Sequence, residues 1–166
     1  VFLYYCLLMY INSESNKWIW IAAIAFAIGF LNKYNIGFLI LGLVPALLAS
    51  SHRKIFAQPS LYAAMLIAFI LILPNLVWQY QHDFPVIWHL KELSTTQLVN
   101  VNRADFLKEQ ILFFLSSLFV IIAAFISFFI YPPFKKYRVF FVSFVIILFL
   151  FTYLKAKGYY AIGLYP

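Results

Sequence analysis

The sequence predicts an all-α, polytopic integral membrane protein, and three observations lead there. Of its 166 residues 66% are hydrophobic and 10% are charged, whereas globular domains carry about one quarter charged residues; too few polar side chains are present to cover a water-soluble core. The apolar residues gather in runs close to the length that crosses a hydrocarbon layer of about 30 Å. All four tryptophans, Trp18, Trp20, Trp78 and Trp88, fall at the ends of those runs or in a short amphipathic stretch, as indole rings do at a membrane–water boundary.

The net charge of +7 does not point to nucleic acid in so apolar a chain. Basic residues beside apolar spans read instead as orientation signals and contacts to membrane lipids. The single cysteine, Cys6, has no partner for an internal disulfide and reads as a packed or lipid-facing thiol. The chain opens on Val1 with no basic segment ahead of its first apolar run. It therefore reads as an internal piece of a longer polytopic protein, all of it (1–166) from one transmembrane domain, rather than as a signal peptide.

About five complete transmembrane helices and one truncated one are expected. Residues 1–11 are apolar but reach only about 16 Å as a helix, so they read as the tail of a span. Residues 18–50 would run about 50 Å as one helix; the polar break at Asn32-Lys33-Tyr34-Asn35 divides them into two short spans, 18–32 and 35–50. Pro45 need not end the second, because neighbouring helices can satisfy the carbonyl it frees. A basic loop follows at 51–59, then a third span at 60–78, where Pro74 and Asn75 predict a kink or an unwound last turn.

Residues 79–109 are the one long polar segment. Phe84, Ile87, Trp88 and the stretch Leu90–Leu93 predict a helix over 84–93 lying in the membrane interface, with Ser94-Thr95-Thr96 interrupting it. Asp105 is a candidate cap for the next helix. Residues 110–131 form the fourth span, stopped by Pro132-Pro133. After Lys135-Lys136-Tyr137-Arg138 the fifth span occupies 139–154, and a polar tail emerges at 155–166.

Alternation puts 12–17, 51–59 and 132–138 on one side and 32–35, 79–109 and 155–166 on the other. Counted over short loops, Lys and Arg favour the first side (Lys17, Arg53, Lys54, Lys135, Lys136, Arg138) over the second (Lys33, Lys155, Lys157). The positive-inside rule then places the first group in the cytoplasm. His82, His89, Asp83, Glu92, Asp105 and Glu109 all lie on the outer side.

Motifs for nucleotide, dinucleotide or zinc-protease chemistry are absent, as is a Cys/His set with zinc spacing. No carboxylate falls within a predicted span, which argues against a proton relay there. The richest constellation is His82-Asp83 with His89-x-x-Glu92. At helical spacing His89 and Glu92 share a face and could bind one divalent metal ion or one substrate hydroxyl; a solvated interfacial loop explains the same residues. Lys33 reads either as a snorkelling lysine at a span end or as a fixed cation for a lipid-borne phosphate. Lys155, Lys157, Tyr159 and Tyr160 form a second cluster with the same two readings.

Three stretches resemble one family. Ile28-Gly-Phe-Leu-Asn-Lys-Tyr34 looks like the Gly-x-x-(Thr/Ser/Asn)-Lys element of glycosyltransferase family 39, which includes the dolichyl-phosphate-mannose:protein mannosyltransferases and the lipid A aminoarabinose transferase. The run Leu73–Pro85 is similar to the Pro/Trp span exit and polar loop of bacterial members. Lys157-Gly-Tyr-Tyr-Ala-Ile-Gly-Leu-Tyr-Pro166 resembles the Lys-x-x-Tyr element near a later outer loop. Their order and spacing agree with the family.

The resemblance implies a GT-C-type enzyme of the bacterial inner membrane that takes a polyprenyl-phosphate sugar and transfers it on the outer face to a lipid, glycan or protein. It implies that Lys33 and Tyr159 or Tyr160 face the cavity, with His82, Asp83, His89 and Glu92 more loosely placed; Lys33, Lys157 and Tyr160 are expected to converge there. The family's catalytic carboxylate sits in an outer loop expected upstream of Val1, so no residue of this chain is assigned that role. Two rival readings are a transporter or flippase, which would show polar residues or broken helices at mid-span, and a purely structural membrane subunit, which would leave the outer-side cluster without a task.

Overall fold

The computed structural model describes residues 1–165, and among these no strand occurs. The chain forms α1 (Phe2–Ser13), α2 (Lys17–Asn32), α3 (Ile36–Leu48), α4 (Pro59–Gln81), α5 (Pro85–Thr96), α6 (Arg103–Phe113), α7 (Leu118–Ile130) and α8 (Arg138–Tyr153). Turns of 3-10 helix fill the longer gaps at Ser51–Ala57, Pro132–Tyr137 and Gly158–Leu164. Pro166, the last residue of the third family-like stretch, lies outside the described residues.

The all-helical expectation holds, but five full-length spans are not found. One helix, α4, is by itself long and apolar enough to cross a membrane. Two bent pairs would raise the number to three if each were one span: α3 with Ser51–Ala57, bent by 110°, and α6 with α7, bent by 61°. The physical reason is visible at each break. Lys33 adopts an extended backbone (φ −154°, ψ 123°) and ends α2, leaving helices of 16 and 13 residues on either side. At rises of 1.5 Å per residue these measure only about 24 and 20 Å. The expected span at 110–131 is divided at Phe114–Ser117.

Other boundaries shift for local reasons. Pro45 and Pro74 both lie inside helices that continue past them; the unwound turn expected at Pro74-Asn75 does not occur, and α4 runs on to Gln81. Ser94-Thr95-Thr96 does not interrupt α5. Their hydroxyls donate to the carbonyls of Lys91 and Glu92 one turn back, which lets these residues stay helical. The cap of α6 is Asn102, whose Oδ1 accepts from the Ala104 amide at 2.9 Å. Asp105 lies within the first turn of α6 and pairs with Lys108 at 3.2 Å, favourably placed for the helix dipole.

Packing joins α1 to α2, α2 to α4 and α3 to α8. One buried cluster gathers Leu7, Ile19, Leu43, Leu47, Ala64 and Val139; a second gathers Phe106, Ile147, Phe151, Ala156 and Ala161. Gly42 is what brings α3 close to α8: a Cβ there would overlap Ile147 and lie 3.0 Å from the Ser143 carbonyl. Cys6 is fully buried, the packed alternative of the two expected. Large apolar side chains cover the outside instead, among them Leu66, Phe69 and Ile70 on α4 and Phe119 and Val120 on α7. An exterior of that kind suits lipid rather than water.

The turns gather at two ends. At one, His52 Nε2 donates to the Lys136 carbonyl (2.7 Å), and Lys136 Nζ and Tyr137 Oη donate to Asn12 Oδ1 (2.7 and 2.6 Å). Segments 12–17, 51–59 and 132–138 are thereby neighbours, as alternation requires. Segments 32–35, 79–109 and 155–165 meet at the other.

Candidate functional site

The second end is built around the turn between α2 and α3. Tyr34 is clamped there: its hydroxyl donates to Asn75 Oδ1 (2.9 Å) and accepts from Gln79 Nε2 (2.8 Å). Asn75 and Gln79 are one turn apart on α4, so both amides face the same side. Gln79, buried, also accepts through Oε1 from the Val86 amide (3.4 Å) and through its carbonyl from the Phe84 amide (2.7 Å). This chain of amides and a phenol fixes the turn that carries Lys33. It also holds the sharp exit from α4, where Asp83 and Phe84 both take left-handed backbone (φ 55° and 52°).

From the far end of the sequence, Gly158–Leu164 folds back onto α6 and α8. Gln110 Nε2, buried, donates to the carbonyls of Phe106 and Gly158, both at 3.1 Å. Gly158 eases this approach: a Cβ there would overlap the Glu109 carboxylate and lie 3.0 Å from its Cβ, so the Glu109 side chain would have to swing away. Ala161 and Ala156 insert among Phe106, Ile147 and Phe151. The result seats Tyr159 and Tyr160 edge to face, with ring centroids 4.7 Å apart.

Lys33 meets these tyrosines. Its ammonium lies 4.6 Å from the Tyr160 centroid and 5.8 Å from that of Tyr159. Lys157 approaches Tyr159 at 6.0 Å and donates to Gln97 Oε1 just beyond the end of α5. Burial, and then the neighbouring Tyr159, push the Tyr160 phenol above its ordinary pKa, so near neutral pH it is a hydrogen-bond donor. Two cations and two phenols drawn from opposite ends of the chain thus share one surface. Such a surface suits an anion with several oxygens.

The remaining predicted residues are not brought into it. His82 stacks on Trp78 (4.4 Å, 22°) and donates through Nδ1 to the Trp78 carbonyl (2.8 Å). Asp83, His89 and Glu92 are exposed on the turn and on α5, and none of the hydrogen bonds, ion pairs or aromatic contacts of these four residues reaches Lys33, Lys157, Tyr159 or Tyr160. Among the described residues no group of three His, Cys, Asp or Glu side chains could hold a metal ion. Lys155 also departs from its expected neighbours: it lines a separate cavity with Arg103. Sequence reasoning missed Tyr34, Asn75, Gln79, Gln97 and Gln110. A Gln or Asn at the end of an apolar helix, one turn from another, is the signal that could have found two of them, Asn75 and Gln79.

Fold and site together define an all-helical integral membrane protein that presents cations and phenols at one end. Residues 1–78, from α1 through most of α4, match the family model of dolichyl-phosphate-mannose-protein mannosyltransferase. The family resemblance read from the sequence is borne out over this segment, which carries Lys33, Tyr34 and Asn75. No curated protein and no solved structure is significantly similar to the chain.

Proposed function

We propose that this chain is part of a membrane glycosyltransferase that moves a sugar from a polyprenyl-phosphate donor to a lipid, glycan or protein acceptor on the outer face of a bacterial inner membrane. The observation that carries the reading is the convergence of Lys33, from the family-matched segment, with Tyr160 and Lys157, from beyond it. In such a transfer an acceptor nucleophile attacks the anomeric carbon and the polyprenyl phosphate leaves. Negative charge grows on the leaving phosphate, and fixed cations and a phenolic donor beside it stabilise the transition state more than the ground state. A carboxylate elsewhere in the full-length enzyme would orient or deprotonate the acceptor. His82, Asp83, His89 and Glu92 then form the water-facing approach to the site, and α5 lies along the interface.

Of the two bent pairs, the one that falls inside an expected span, α6 with α7, is the feature that favours the transporter alternative. Ser116 and Ser117 at that bend are exposed and no ionisable residue accompanies them, so the bend offers nothing for an ion or solute to bind. The test is transfer by the full-length protein in proteoliposomes. Sugar should pass from a polyprenyl-phosphate donor to an added membrane extract, and a polyprenyl diphosphate sugar or a nucleotide sugar should not replace the donor. Equal use of a nucleotide sugar would reject the reading.

A further inference from the structure

We propose that the cavity between Arg103 and Lys155 is a second anion site that takes a phosphate group, distinct from the Lys33 cluster; its assignment to the acceptor rests on the glycosyltransferase reading above. The cavity, about 320 Å³, is lined by Val99, Val101, Asn102, Arg103 and Lys155. It has room for a phosphate together with part of the molecule that carries it. The Arg103 guanidinium is held in place by one donor, Nη2 to the Tyr153 carbonyl at 3.3 Å, which leaves its other N–H groups free to bind oxygens in a fork. Lys155 is half-buried, and its side chain makes no hydrogen bond or ion pair among the described residues. The nearest carboxylate in sequence, Asp105, is engaged by Lys108.

Lys155 occupies a position where its side chain is not what the backbone asks for. It follows α8 in left-handed conformation (φ 54°), and the next amide, Ala156 N–H, donates back to Phe151 O at 2.9 Å. Helices that stop this way prefer glycine at that residue, since a Cβ is disfavoured there. Beyond it Ala156 is buried, and the chain sends Lys155 and Lys157 to different partners on either side of that anchor. Lys157 joins Gln97 and Tyr159, while Lys155 joins Arg103. A transferase must hold two substrates, and two separate cationic surfaces at one end of the molecule provide for a charged donor and a charged acceptor.

The experiment uses the full-length enzyme in detergent micelles and follows thermal unfolding with added inorganic phosphate, against chloride at equal ionic strength. Wild type and Lys33→Ala should both be stabilised by phosphate. In the Lys33→Ala background Arg103→Gln and Lys155→Gly should lose that stabilisation, and Lys155→Gly without phosphate should unfold no earlier than its parent, which excludes misfolding as the cause. A short-chain phosphatidic acid added in place of phosphate separates the sources: saturation at a lower concentration than phosphate marks a membrane-borne ligand, and the reverse marks a soluble one. In transfer assays Arg103→Gln should raise the acceptor KM at least several-fold and leave the donor KM unchanged. Phosphate stabilisation that vanishes in Lys33→Ala and survives in Arg103→Gln would overturn the proposal, as would no phosphate effect in wild type. If phosphate binds as expected but no sugar is transferred, the anion site stands and the glycosyltransferase reading fails.

Discussion

The Lys33 ammonium sits over the Tyr160 ring, 4.6 Å from its centroid, although the two residues belong to opposite ends of the chain. A cation over an aromatic face gains about 0.5–1 kcal/mol at an exposed site. That is enough to bias the lysine toward the tyrosines and too little to fix it there when a phosphate arrives. Lys33→Ala in the full-length enzyme should lower transfer by about tenfold or more at unchanged expression. Lys33→Arg should restore part of the rate, because a planar fork does not replace a point charge. Lys17→Ala, at the opposite end, should be nearly silent. Wild-type transfer by Lys33→Ala would leave only the snorkelling role.

The two ends of the helix bundle should face opposite sides of the membrane. Ser94 lies on exposed α5 and Ser51 opens the turn that touches Lys136 through His52. A membrane-impermeant thiol reagent applied from outside should modify Ser94→Cys and spare Ser51→Cys, on a background with Cys6 replaced. The opposite labelling pattern would invert the orientation.

Tyr34 is the middle link between Asn75 and Gln79. Tyr34→Phe keeps the ring and removes both hydrogen bonds, leaving a buried amide without its partner. The loss should be about 1–3 kcal/mol, seen as a lower unfolding temperature in detergent. Transfer should fall as well, since the same link holds the Lys33 turn. An unchanged unfolding temperature would show that the link contributes nothing to the folded state.

Gly158 lies against the Glu109 carboxylate. Gly158→Ala should therefore destabilise the fold and displace Tyr159 and Tyr160 from Lys33. Much of the loss should return in Gly158→Ala/Glu109→Ala, where the colliding carboxylate is gone, and a double-mutant cycle measures that coupling. Strict additivity of the two changes would show that the close approach is absent.

The helices and their alternation between two ends were legible in the linear chain. Hydropathy, prolines and tryptophans are local signals, and each run of apolar residues reports its own burial without reference to any other. The turn at Asn32–Asn35, the proximity of the two basic loops and the shared surface of Lys33 with the 157–160 segment all follow from run lengths, with the family resemblance adding the last. Two features did not: the 110–131 stretch bends at Phe114–Ser117, and Lys155 parts from Lys157 to join Arg103. These depend on where α6 lies against α8. Phe106 must be buried with Ile147 and Phe151, and Gln110 must find the Gly158 carbonyl. Packing and hydrogen-bond satisfaction between distant segments decide such matters, and no window of the sequence contains both partners.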